Sequence, residues 1–168
     1  MIELVRRLRP VEELLEALQS DEEEVRSRAR QMLALLWREQ AGEAAMEEVE
    51  AGLRLLENRM FQEAVEHFSQ LIEQFPAFAE AYRYRGEAWY RLGRYRESIL
   101  DLLQALKRNP HHYEAWADLG RSFVQMGLYR NALTAFRRAL QIDPYAAELR
   151  EYIAYCRQEL AGEGSNGH

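Results

Sequence analysis

The chain of 168 residues contains one cysteine, four prolines and nine glycines, and Lys107 is its only lysine among 22 basic residues. Each scarcity excludes something. A lone Cys156 cannot support a disulfide framework. Glycine and proline fall far short of collagen-like or low-complexity chains. The longest uninterrupted apolar run, Met32 to Trp37, is far shorter than the ~20 residues of a membrane span. The start, Met1-Ile-Glu-Leu-Val-Arg-Arg, has no apolar stretch of a secretory leader. With the free cysteine, this sets the expectation of a cytoplasmic protein with no membrane partner. A net charge of −6 argues against general nucleic-acid binding.

What is present is a soluble globular composition, 48% apolar and 30% charged with mean hydropathy −0.50. The apolar residues recur with a long period. Pro76, Pro110 and Pro144 are 34 residues apart, as are Gly52, Gly86 and Gly120; Leu55, Trp89 and Phe123; and Phe61, Tyr95 and Tyr129. Three blocks follow: 45–78, 79–112 and 113–146. Each reads as two helices. In the third, Trp116, Leu119, Gly120, Phe123 and Val124 share one face of a helix over Tyr113–Met126, which Gly127 ends. Ala132, Leu133, Phe136, Ala139 and Leu140 share one face of a helix from Tyr129 to about Ile142, and Asp143-Pro144 ends that. Small residues let paired helices approach, and large ones fill the space between pairs. One pair cannot cover both faces alone, so stacked pairs must share a core.

These blocks resemble tetratricopeptide repeats. The third carries the full pattern: Trp116, Leu119, Gly120, Phe123, Ala132, Phe136, Ala139 and Pro144. The second has Tyr82, Gly86, Trp89, Ala105 and Pro110, with Ser98 and Leu102 as mild variants and Arg85 in place of leucine. The first has Gly52, Leu55, Ala64, Phe68 and Pro76, with Ala51 and Leu71 tolerated and Glu48 in the aromatic slot. The resemblance covers 102 of 168 residues and implies an all-α, right-handed solenoid of helical hairpins.

The flanks complete the expected organisation. Residues 1–44 form an N-terminal helical extension. It has a short helix after Pro10, read as a first-turn proline, and a longer one capped by Ser20 or Asp21. Val25, Ala29, Met32, Leu33, Leu36 and Trp37 are the expected buried stripe of the longer helix. The turn between them weakly resembles a HEAT-type hairpin. Residues 147–160, with Leu149, Tyr152, Ile153, Cys156 and Leu160 on one face, form a capping helix. Residues 161–168 form a flexible tail.

No catalytic, cofactor or metal motif is found. Cys156 reads as a buried hydrophobe. His111-His112 sit in an inter-repeat turn without further ligands. The resemblance implies a non-enzymatic interaction module whose first helices line a concave groove. On that basis the peptide-groove candidates are Leu53, Leu56, Arg83, Tyr84, Glu87, Tyr90, Arg91, Ala117, Arg121 and Val124. Replacing Tyr84 and Tyr90 is expected to weaken binding without unfolding. The apolar stripe Met46, Val49, Leu53 and Leu56 is expected either to be covered by residues 1–44 or to anchor a partner. The family positions that grip chaperone carboxylate tails hold Val49, Leu53, Tyr84, Glu114 and Asp118, so such tails are not expected to bind. Charge runs from −5 in the first block to +3 in the second, where arginines interleave with aromatics, which admits an acidic peptide. The partner is a protein or peptide. The alternative is a structural assembly subunit or homodimer using the N-terminal helices or a solenoid end. The chain is a monomer or homodimer.

Overall fold

A computed structural model describes residues 2–39 and 42–165, with side chains at 10–39 and 42–162. Among the described residues there are nine helices and no strands. They are α1 (Ile2–Ala17), α2 (Glu23–Glu39), α3 (Glu43–Glu57), α4 (Phe61–Gln74), α5 (Ala79–Arg91), α6 (Tyr95–Arg108), α7 (Tyr113–Gln125), α8 (Tyr129–Ile142) and α9 (Glu148–Ser165). Helices α3–α4, α5–α6 and α7–α8 form the three hairpins. The first helices of successive hairpins touch, α3 on α5 and α5 on α7, and α7 meets α9. No comparable contact joins α4 to α6 or α6 to α8 among the described residues. The first helices therefore form the inner layer of the solenoid. The molecule is an all-α helical-hairpin solenoid.

Close approach within a hairpin depends on the periodic glycines. A Cβ on Gly52 would lie 2.3 Å from Phe68 Cζ, and one on Gly120 would lie 2.4 Å from Phe136 Cε1. At Gly86 the facing residue is Leu102, and a Cβ would stand 3.1 Å away. The turn after each first helix closes identically. The amides of Met60, Arg94 and Leu128 each donate to the carbonyl five residues back, at 2.9 Å. That turn needs a left-handed residue. Gly93 and Gly127 supply φ of 74° and 69°, but the first repeat uses Arg59 at 61°.

Two departures from the repeat pattern have structural partners. Arg85 replaces the consensus leucine, and its Nε and Nη2 donate to the two Asp101 oxygens at 2.7 Å. Its Nη1 donates to Ser69 Oγ at 3.0 Å. Ser98 is fully buried and meets Ser122 Oγ at 3.0 Å. A polar pair thus replaces an apolar contact without an orphaned group.

The flanks differ from expectation in three respects. Helix α1 starts at Ile2, so Pro10 lies inside it rather than in its first turn. A proline there removes one backbone donor from the helix's hydrogen-bond ladder. Helix α9 runs to Ser165, past the expected end at residue 160, because propagation adds one hydrogen bond per residue. Positions 166–168 of the expected tail lie outside the described residues. On α2 the buried stripe is Arg26, Ala29, Leu33 and Trp37, while Val25 and Met32 are exposed. The stripe is rotated because α2 packs against α1 and also against the third repeat. Ser20 does act near the start of α2, its Oγ accepting from the Glu22 amide at 3.2 Å.

Candidate functional site: a groove walled by the N-terminal hairpin

The α1–α2 hairpin crosses the ends of the inner helices. Leu18, Ala29, Leu33 and Trp37 form a core with Val11, Leu14 and Leu15, and that core extends to Tyr113 and Ile142 in the third repeat. Trp37 lies over His112 with ring centroids 4.4 Å apart. Arg30 Nε and Nη2 donate to Asp143 at 2.7 and 3.2 Å. Tyr145 donates its hydroxyl to Asp21 at 2.7 Å, and Arg26 stacks over the Tyr145 ring. Gln19 Nε2 donates to the Ile142 carbonyl at 2.9 Å. The hairpin is thus tied to the turns that follow the second and third repeats. On α3, which α2 also contacts, most of the Met46–Leu56 stripe is buried by the first two repeats. Val49 and Leu56 are buried among Phe68, Leu71 and Tyr84, and Leu53 packs on the same cluster.

Beside α2 the inner layer is open. A cleft of about 370 Å³ lies between Arg30 on α2, Tyr113, Ala117 and Arg121 on α7, and Ala146 and Leu149 at the start of the cap. A second cleft of about 260 Å³ lies over Arg83, Glu87, Tyr90 and Arg91 on α5. Both are bordered by Glu114 and Arg121, so they form one groove. The inner helices form its floor, and α2 walls the larger cleft through Arg30.

Behind this floor sits a buried charge cluster. His112, which has no exposed surface, meets Glu80 through Nε2 at 2.6 Å, and Glu80 accepts from Arg83 Nε at 3.3 Å. Burial would raise the Glu80 carboxyl, but the His112 and Arg83 groups outweigh it and hold it down to about 2. Burial also opposes the charge of Arg83, yet its carboxylate neighbours, Glu80 first, hold the guanidinium well above its usual range. Burial pushes the Glu87 carboxyl up, against the pull of nearby arginines.

The sequence-derived candidates separate into two groups. Arg83, Glu87, Tyr90, Arg91, Ala117 and Arg121 come together along the groove. Tyr84 is buried and stacks on Phe68 at 5.5 Å. Leu53 and Leu56 belong to the first repeat's core, and Val124 packs into the core between α8 and α9. The sequence reading did not identify Arg30, Tyr113, Glu148 or Leu149 as lining residues, because the hairpin's docking position carries no periodic signal. His67 on α4 is half-buried and contacts the Glu48 carbonyl through Nε2 at 2.6 Å. Cys156 is fully buried, and burial pushes its thiol up. Among the described residues no cluster of His, Cys, Asp or Glu suits a metal ion, and no helix is long and apolar enough to cross a membrane.

Stacked helical hairpins with a lined inner face define a repeat solenoid. The tetratricopeptide repeat model matches residues 49–105 and 90–147, and the chain belongs to the tetratricopeptide-repeat family. Domains of this family are protein–protein interaction modules and are generally non-enzymatic. A comparison with curated protein sequences finds no match. Solved structures share the fold. The first such domain of Spaghetti (RPAP3), bound to the HSP90 peptide SRMEEVD, is 20% identical with TM-score 0.66, covering 67% of this chain and 89% of that one. The TPR2B domain of yeast Sti1, in a pHsp70 complex, is 20% identical with TM-score 0.64, covering 67% and 95%. The Sgt2 domain from Aspergillus fumigatus is 17% identical with TM-score 0.66, covering 72% and 81%.

Proposed function

We propose that this protein binds a peptide segment or helix of a partner protein in the groove between α2 and the inner helices. The observation that carries this reading is the continuity of the two clefts across α5, α7 and the start of α9. Half-buried aromatic surface from Tyr90 and Tyr113 lies beside fixed charges there, and the buried Ala117 and Leu149 back the larger cleft. That mixture gives a peptide both apolar contact and orientation. Acidic chaperone tails are poor ligands for this groove. Glu114 and Asp118 stand where a carboxylate would have to approach, and both are near Arg83. The test is titration of a peptide selected from a random library against the full chain. Tyr90→Ala should weaken binding about tenfold, as for loss of one aromatic contact. Leu100→Ala, on the outer helix α6, should leave it unchanged. Equal effects from both would count against the groove.

A second reading, assembly through the N-terminal hairpin, is favoured by α2 itself. Met32 and Leu35 are 51% and 42% exposed on one side of that helix, with Val25 beside them. Sedimentation over a hundredfold concentration range tests it. Dimerisation abolished by Met32→Glu supports it, and a monomer throughout contradicts it.

A further inference from the structure

The groove's positive and negative groups differ in what they leave available. Arg83 is surrounded by three carboxylates, Glu80 at 3.3 Å, Asp118 at 3.5 Å and Glu114 at 3.7 Å. Arg121 is paired with Asp118. Arg30 is held by Asp143 at 2.7 Å and Glu23 at 3.2 Å. Of the groove's guanidiniums, only Arg91 is without a carboxylate partner among the described residues, and it lies over the Phe61 ring at 4.9 Å. On the other side, Glu87 and Glu148 have no ion-pair partner among the described residues. Glu114 makes only long contacts, to Arg83 at 3.7 Å and from the Tyr113 hydroxyl at 3.5 Å, with 39% of its side chain exposed.

An incoming carboxylate would therefore find Arg91 alone unpaired, and at Arg83, Arg121 or Arg30 it would have to displace an existing pair, at the first two beside Asp118. An incoming cation finds Glu87 and Glu148 without breaking an ion pair, and Glu114 for the loss of one long contact to Arg83. Four guanidinium groups line the two clefts against five carboxylates, and the Glu80 carboxylate is buried directly behind them. The larger cleft adds shape to charge. Ala117, Ala146 and Leu149 give it apolar lining, and Tyr113 borders it. A long aliphatic stem can lie on such a lining while its charged end reaches the rim.

We propose that the groove selects a partner segment bearing arginine or lysine side chains, matched by Glu87, Glu114 and Glu148, rather than an acidic one. This rests on the groove being the binding surface, and the experiment separates the two ideas. The full chain is immobilised and a random displayed decapeptide library is selected on it at low salt. Selected peptides are then synthesised with a fluorophore and titrated. The proposal expects Arg and Lys to be enriched and Asp and Glu depleted. It expects Glu148→Gln and Glu87→Gln each to weaken a selected peptide about three- to tenfold, the range for a partly exposed charge pair. Salt raised from about 0.05 to 0.3 M should weaken it further. Enrichment of acidic residues, the absence of any charge preference, or unchanged affinity in both carboxamide variants overturns it. An acidic peptide that is lost with Tyr90→Ala overturns the charge assignment and leaves the groove standing. A peptide indifferent to Tyr90→Ala and to both carboxamide variants overturns the groove as well, as does selection of no peptide.

Discussion

Arg30 on α2 grips Asp143 in the turn after the third repeat, through two hydrogen bonds of 2.7 and 3.2 Å that join residues 113 positions apart. Asp143 is 1% exposed, and its Oδ1 also accepts from the Tyr145 amide at 3.1 Å. The same carboxylate therefore shapes its own turn and anchors the groove's wall. Arg30→Ala would leave it buried and half satisfied. We expect a loss of about 2 kcal/mol in urea unfolding, below the range for a fully buried pair because Arg30 is partly exposed. Amides of α1 and α2 should exchange faster in this variant, while those of α5–α8 stay protected. Uniform loss of protection would show that the hairpin is not a separable wall.

The three periodic glycines should not respond alike to alanine. At Gly52 and Gly120 the new Cβ would overlap a buried phenylalanine ring. At Gly86 the contact is 3.1 Å to a leucine that can shift. Gly52→Ala and Gly120→Ala should each cost about 2–3 kcal/mol by overpacking. Gly86→Ala should cost less than about 1 kcal/mol, since alanine's helix propensity offsets part of the crowding. Comparable losses at all three would contradict the packing described.

Arg85 and Asp101 form a unit that repeat 3 replaces with Leu119 and Ala135. Arg85→Leu alone strands Asp101, which is 6% exposed, and should cost about 3 kcal/mol. Combining it with Asp101→Ala should recover most of that loss. A double-mutant cycle with no coupling would remove the basis for this account.

The Glu80 cluster predicts acid sensitivity. The carboxyl sits at about 2 in the folded protein against 4.5 for an ordinary one. Between these values the unfolded chain binds the extra proton, so stability present above pH 4.5 declines as pH falls towards 2. The difference is on the order of 3 kcal/mol for this buried group. Glu80→Gln should be less stable at neutral pH and lose less across this window. Parallel pH profiles for the two proteins would contradict the assignment.

How much of this was legible in the sequence depends on distance along the chain. The hairpins and their partners follow a 34-residue pattern because side-chain volume repeats with it: Gly120 needs Phe136 as Gly52 needs Phe68. The Arg85 departure was visible, but its compensation by Asp101 was not, since no volume rule pairs them. Tyr84 read as a groove residue, yet the neighbouring ring of Phe68 draws it into the core. His112 read as a polar turn residue, yet Trp37 covers it. Contacts such as Trp37 with His112 and Arg30 with Asp143 join the unrepeated extension to the repeats. No period announces them, and only the folded arrangement brings them together.

The most direct test of the central claim is a chemical-shift map of the isotopically labelled chain with a selected peptide bound. The account predicts that perturbations follow the inner face, at Tyr90, Ala117, Arg121 and Glu148, and reach Arg30 on α2. Perturbations confined to the outer helices α4, α6 and α8, with those five residues unmoved, would contradict it.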